Sequence, residues 1–280
     1  MIINRVASLG FENLANIYIK QKGKTIYDQW DYFDASDYVI YALYLDGSAK
    51  DVSALCAYDL TGELQHSDTI VTFTYIEGNR TVTTTQELTI NVKYQPLLYL
   101  ESTGTQYIDT GFVPTQNTRV EAEIAITDTR TSTNIWPAIF GAQNLANSSD
   151  GRTFVFGYTP STKTMPGSLL YTVGAKYSIA LSTEGYYINE KKYSNYTWVD
   201  TPTVSMALFT RHSANNGYET CMQAYARIYT LKIYENGELI HNYIPSVRTA
   251  DNVLGMYDKV EDKFLVNKGT GTFIGGAKIW

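Results

Sequence analysis

Apolar side chains recur at every second position along most of this chain, the period of a β-strand with one buried face. Apart from the opening residues, no run sustains the 3.6-residue period of an amphipathic helix. In Val39-Ile40-Tyr41-Ala42-Leu43-Tyr44-Leu45 one face carries Val39, Tyr41, Leu43 and Leu45, and Asp46-Gly47 then supplies a tight turn. Val71, Phe73 and Tyr75 alternate with Thr72 and Thr74, Glu77-Gly78-Asn79 reverses the chain, and Leu88, Ile90 and Val92 alternate once more. Further on, Val120, Ala122, Ile124 and Ile126 share a face. Strands are expected over Ala138 to Gly141, Phe154 to Tyr158, Tyr177 to Leu181 and Tyr186 to Ile188. Tyr229, Leu231 and Ile233 run into Asn236-Gly237, a strong signal for a type I′ hairpin turn, and Leu239 and Tyr243 follow. The pattern predicts an all-β protein.

Lys93-Tyr94-Gln95-Pro96 interrupts it, because a proline has no N–H to give to a sheet ladder, so residues 94–96 read as a linker. With 280 residues there is room for two domains, each with its own core, at 22–93 and 97–280. Residues 1–21 fit neither. Ile2, Ile3, Val6, Leu9, Phe11, Leu14, Ile17 and Ile19 make that segment apolar enough to dock, as an extra strand, a short helix or an assembly arm. Burying several side chains of this size, at roughly 1.5–3 kcal/mol each, could anchor the protein to sister subunits or to a larger particle.

Composition narrows the function. Hydrophobic residues make up 44% and charged residues 18%, and the 24 tyrosines suit pleated, half-buried surfaces. A net charge of −6 without any basic block argues against a phosphate-tracking surface, hence against nucleic acid as a partner. No stretch approaches the roughly 20 apolar residues that span a bilayer, and Glu12 arrives before a signal-peptide core could form, so neither membrane insertion nor an ordinary secretion signal is expected. Cys56 and Cys221, one in each expected domain, are too few for a disulfide framework or a thiolate metal site.

Two resemblances add to this. Tyr27-Asp28-Gln29-Trp30-Asp31-Tyr32-Phe33-Asp34, the strand ending Tyr44-Leu45-Asp46-Gly47, Asp51-Val52-Ser53 and Thr89-Ile90-Asn91-Val92 resemble the bacterial Ig-like domains of surface and phage proteins. Asp37 departs from that pattern, which often has glycine there. Tyr99-Leu100-Glu101-Ser102-Thr103-Gly104-Thr105-Gln106-Tyr107-Ile108-Asp109-Thr110-Gly111 and, later, Ile139-Phe140-Gly141 are similar to the opening of laminin G or concanavalin A-like jelly rolls. Tyr243 to Arg248, Gly255-Met256-Tyr257-Asp258 and Phe264 to Gly276 are similar to the tail of the same family, so the likeness spans about 97–276. Together they imply an Ig-like β-sandwich followed by a concanavalin A-like/laminin G-like jelly-roll sandwich.

Jelly rolls include glycoside hydrolases, which need two carboxylates flanking one glycosidic bond. Glu121-Ala122-Glu123 begins like the acidic strand of one such family and then lacks the rest, so a solvated outer face is expected for Glu121 and Glu123. His66, His212 and His241 lack the spacing of a helical metal site. Calcium could be held by loop carboxylates such as Asp109, Asp128, Asp150 or Asp200, though no motif supports it and turn-stabilising roles are the plainer reading. Gly269-Thr270-Gly271 reads as a turn rather than a phosphate cradle. Loop-borne recognition remains. Asn134, Trp136 and Arg152 lie near strand ends, and the loop from Arg211 through His212, Asn215 and Asn216 to Tyr218 offers planar donors, acceptors and a ring, groups suited to sugar hydroxyls and to the apolar face of a pyranose. The resemblances imply a non-enzymatic virion surface protein of a phage or prophage, a head decoration or fibre or a tail or baseplate component, adhering to host or environmental glycans and contacting other virion proteins or sister subunits through the arm. The alternatives are a fragment of an adhesin on the bacterial cell surface and a glycoside hydrolase with an unrecognised site.

Overall fold

The structure is a computed structural model that describes residues 13–131, 135–144, 154–194 and 201–280. The chain divides into two compact units, 1–93 and 94–280. Among the described residues the regular structure is β-strand, with three single 3₁₀ turns.

In the first unit the strands are β1 (Leu14–Gln21), β2 (Ile26–Asp28), β3 (Val39–Tyr44), β4 (Ala49–Asp51), β5 (Ala57–Tyr58), β6 (Ile70–Glu77), β7 (Arg80–Glu87) and β8 (Thr89–Asn91). They form two antiparallel three-stranded sheets, β1-β3-β4 and β5-β6-β7, and a parallel pair, β2-β8. Both larger sheets contribute to one core, in which Val71, Phe73 and Tyr75 are the inward face of β6, as their alternation predicts. On β3 the core takes Ile40, Ala42 and Tyr44, and the face carrying Tyr41, Leu43 and Leu45 points outward. Period-two alternation finds the two faces of a strand but does not rank them when both are apolar.

The second unit begins with β9 (Tyr94–Pro96), β10 (Leu100–Thr103), β11 (Ile108–Asp109), β12 (Thr118–Ile126), β13 (Ala138–Gln143), β14 (Phe154–Gly157), β15 (Thr164–Met165) and β16 (Leu169–Leu170). It continues through β17 (Lys176–Ser182), β18 (Gly185–Ile188), β19 (Lys191–Ser194), β20 (Ala207–Leu208), β21 (His212–Ser213) and β22 (Gly217–Tyr218). It ends with β23 (Tyr225–Glu235), β24 (Glu238–Arg248), β25 (Leu254–Asp258), β26 (Lys263–Val266) and β27 (Ile274–Gly275). A large sheet runs β19-β18-β17-β12-β23-β24-β25-β26, with β10 also on β23 and β9 on β24. A second sheet runs β11-β20-β13-β21-β22, with β14 on the remaining edge of β13. Inward residues of both, such as Val120, Ile124, Phe140, Phe156, Leu208 and Leu231, share one core. Glu121 and Glu123 alternate outward and pair with Arg119 and Lys176, so the outer-face expectation for them agrees with the structure. The β23–β24 hairpin turns through Asn236 and Gly237, at φ 53° and 83°, the left-handed pair a type I′ turn requires.

Two boundaries differ from the sequence reading. Residues 94–96 are a strand, not a linker: β9 pairs with β24 in the register Tyr94↔Arg248 to Pro96↔Ser246. Because β9 pairs with β24 alone, a proline at its end withholds a donor that no second strand needs. Part of the segment assigned as an arm, 1–21, belongs to the first core, since β1 lies along β3 and buries Leu14 and Ile17 there; residues 1–12 lie outside the described residues.

A polar clasp joins the start and the tail of the second unit. The buried Gln106 carboxamide oxygen accepts from the Thr103 N–H (2.8 Å) and the Ser102 hydroxyl (3.2 Å), while its nitrogen donates to the Thr272 carbonyl (3.0 Å). Gly269 belongs to this junction, because a Cβ there would stand 2.2 Å from the Thr105 carbonyl oxygen. The glycine pair around Thr270 is therefore a close backbone approach.

Two outcomes follow from these contacts. Deleting residues 2–17 should unfold the first unit, because losing each fully buried Leu or Ile costs about 2–5 kcal/mol, read as loss of its cooperative denaturant transition. Gln106→Leu should cost the second unit about 2–3 kcal/mol by orphaning buried donors and acceptors, read as a lower urea midpoint at constant m-value.

Candidate functional site

The chain just ahead of β13 places Trp136 over an open groove with a cavity volume of about 380 Å³. Its indole is 55% exposed, an unusual position for so large an apolar ring. The backbone beside it is pinned: the Pro137 carbonyl accepts the Tyr158 N–H at 3.0 Å, and Gly157 allows that approach, since a Cβ there would lie 2.9 Å from the same oxygen.

Val155, Tyr158 and the buried Met165 line the groove further, and Tyr186 closes one side with its hydroxyl donating to the Val155 carbonyl at 3.0 Å. Pro166 and Gly167 come from the 3₁₀ turn between β15 and β16, where Gly167 and Ser168 both have left-handed φ, 72° and 60°. Thr159 and Thr164 add hydroxyls. Apolar rings with a few polar groups are the usual make-up of a small-molecule site.

Tyr158 is fixed from behind. Its hydroxyl donates to Asp128 Oδ2 at 2.8 Å and accepts the Tyr225 N–H at 3.0 Å. Asp128 is buried and also receives Arg130 Nε at 2.8 Å and the Arg130 N–H at 2.9 Å. Burial alone would raise the Asp128 carboxyl, but hydrogen bonds from Arg130 and Tyr158 outweigh it and hold the group below the usual carboxylate range. The same burial and the neighbouring carboxylate push the Tyr158 phenol far up, so it stays a protonated donor.

The remaining wall is Arg211. Its Nε and Nη2 both donate to Glu219 Oε2, at 2.9 and 2.7 Å, and the other oxygen of Glu219 accepts from Gln143 Nε2 at 3.0 Å. Glu219 itself is buried.

Of the eight residues singled out in the sequence, the structure brings two together here, Trp136 and Arg211. His212 and Tyr218 face each other across β21 and β22, with ring centroids 4.1 Å apart, and Tyr107 stacks on Tyr218 at 4.6 Å. His212 Nδ1 lies 2.9 Å from the Ser205 carbonyl, an acceptor, so that nitrogen is the donor of the pair. Asp109 adjoins this stack: burial would raise its carboxyl, but hydrogen bonds from Ser205, Tyr218 and the Gly111 N–H win and lower it. Asn215 and Asn216 are exposed turn residues between the two short strands. Asn134 and Arg152, and the carboxylates Asp150 and Asp200, lie outside the described residues.

Among the described residues one set of three groups could hold a metal ion, His241, Asp258 and Glu261, with ligand atoms within 4.8 Å of one another. The register Tyr243↔Asp258 between β24 and β25 makes this meeting, which is why spacing in the sequence did not reveal it. Asp258 already accepts from His241 Nδ1 at 2.6 Å and from the Asn242 and Val260 N–H groups, at 3.0 Å each, a structural clasp complete without an ion. Tyr186, Pro166 and Glu219 were missed in the sequence. Only Glu219, eight residues beyond Arg211 across a tight hairpin, left a signal there.

No protein-family model matches the chain, and no curated protein sequence matches it. Among solved structures it is similar to the crystal structure of a candidate carbohydrate-binding protein from Bacteroides ovatus, with a TM-score of 0.43 and 10% identity over 94% of this chain and 93% of that one. At so low a similarity the groove has to be understood from its own residues.

The Asp128 contact has a pH signature. Its folded-state pKa is depressed, so its stabilisation is present above the unfolded value of about 3.9 and is lost as pH falls through the folded one. Denaturant midpoints of the second unit should hold near neutrality and fall below about pH 4. Asp128→Asn should lower the neutral-pH stability by about 3 kcal/mol and flatten that decline.

Proposed function

We propose that the chain is a non-enzymatic glycan-binding protein, and that the groove under Trp136 is where the sugar sits. The observation that carries this reading is the exposed indole, held by the backbone beside further rings and a guanidinium. A flat ring covers the apolar face of a pyranose, while hydroxyls and N–H groups at the rim meet its oxygens.

The absence of turnover belongs to the same reading. A glycosidase needs two carboxyl groups about 5–9.5 Å apart, free to reach the bond. Among the described residues, the carboxylates of Asp128 and Glu219 are buried behind Tyr158 and Arg211 and occupied by them.

The finer assignments are proposals of the same kind. We read the first unit as Ig-like and the second as a concanavalin A-like/laminin G-like jelly roll, on the motifs quoted above, and place the protein on the surface of a phage or prophage particle. Since Leu14 and Ile17 are committed to the first core, attachment to other virion proteins falls to Ile2, Ile3, Val6, Leu9 and Phe11.

A glycan array on the full chain tests the central claim. Trp136→Ala should reduce binding to every hit by about 30-fold, some 2 kcal/mol, as expected for an aromatic anchor, with an unchanged melting temperature because the ring is largely exposed. Equal binding by the variant would reject the groove, and released product in the wild-type reaction would reject the non-enzymatic reading.

A further inference from the structure

Resting on the glycan-binding reading of this groove, we propose that Glu219 makes it selective for uncharged sugars. Arg211 is the one ionised side chain among the described residues that line it. An unpaired arginine in that position would recruit carboxylates, since its planar fork matches them and charge-assisted bonds are the strong ones.

Here that capacity is already taken. Glu219 Oε2 accepts both Nε and Nη2 of Arg211, at 2.9 and 2.7 Å, and the Glu219 side chain is only 6% exposed against 18% for Arg211. Gln143 Nε2 holds the second carboxylate oxygen at 3.0 Å, and the Thr210 hydroxyl donates to the Glu219 main-chain carbonyl at 2.8 Å, so both the carboxylate and its backbone are tied within the protein. The Nε–Nη2 edge of the guanidinium, one of the two that can clamp a carboxylate, is filled by Glu219. Beyond those two contacts, Arg211 carries Nη1. It is a pair of N–H donors on a group whose charge is cancelled within the protein, and such donors suit the lone pairs of neutral hydroxyls or ring oxygens. The Asp128 carboxylate, behind Tyr158, is cancelled by Arg130 in the same way.

A uronate or sialate entering this groove would lose hydration without gaining a counter-charge, whereas a neutral hexose or acetamido sugar would not. Glu219 is therefore a specificity-determining residue that never touches the ligand.

The test compares full-length wild type, Trp136→Ala and Glu219→Gln on an array of neutral, uronate-terminated and sialate-terminated oligosaccharides, at low and at high salt. The expected result is Trp136-dependent binding confined to neutral glycans and insensitive to salt, with Glu219→Gln gaining about tenfold for the acidic ones, the difference between a neutral and a charge-assisted hydrogen bond. Trp136-dependent binding of acidic glycans by the wild type, or affinity that falls as salt rises, overturns the selectivity claim and leaves the groove standing. No Trp136-dependent binding to any glycan overturns the groove and the selectivity together. If Glu219→Gln does not fold, the wild-type glycan classes and the salt series decide.

Discussion

The second unit is organised by the backbone ladder of β23. One edge of this strand pairs along its length with β12, and the other is shared by β10 near its start and β24 near its end. A one-residue slip would exchange Ala226, Ile228, Leu231 and Ile233, all buried, for Arg227 and Lys232, so burial and register enforce each other. The alternation shifts phase between Ile228 and Leu231, where the pairing with β12 skips a residue between Glu123 and Ile124. That bulge lets one strand serve the core at both ends.

The groove inherits its rigidity from this frame. Tyr158 accepts the N–H of Tyr225, the first residue of β23, and Arg130, which holds Asp128 beneath it, lies over the Tyr225 ring at 4.3 Å. Main-chain hydrogen bonds and a buried ion pair thus position the side chains that would meet a ligand. Little of their freedom remains to be lost on binding.

Strand positions were legible because they depend on period two and on local turn chemistry: β6, the outward Glu121 and Glu123, and the Asn236-Gly237 turn all follow from neighbours in the chain. Proline and apolar content misled at the boundaries. Pro96 ends a strand with one partner, and Leu14 and Ile17 sit in a core that only the pairing of β1 with β3 reveals. Of the site, Trp136 and Arg211 were visible as residue types suited to sugars. Their meeting with Tyr186 and Pro166, and the charge cancellation by Glu219, depend on contacts between strands and turns that no local pattern encodes. His212 and Tyr218 show the converse, a loop rich in recognition chemistry whose rings are spent on stacking with each other.

The openness of the groove has a consequence for how such a protein would hold a surface. A recess of about 380 Å³ would meet one or two sugar units and leave the rest of a polysaccharide in water, so each contact would be weak and released quickly. Grip would then come from number: copies displayed side by side turn every contact after the first into an event at high effective concentration. The gain in avidity is set by the spacing of the copies, with no change inside the groove.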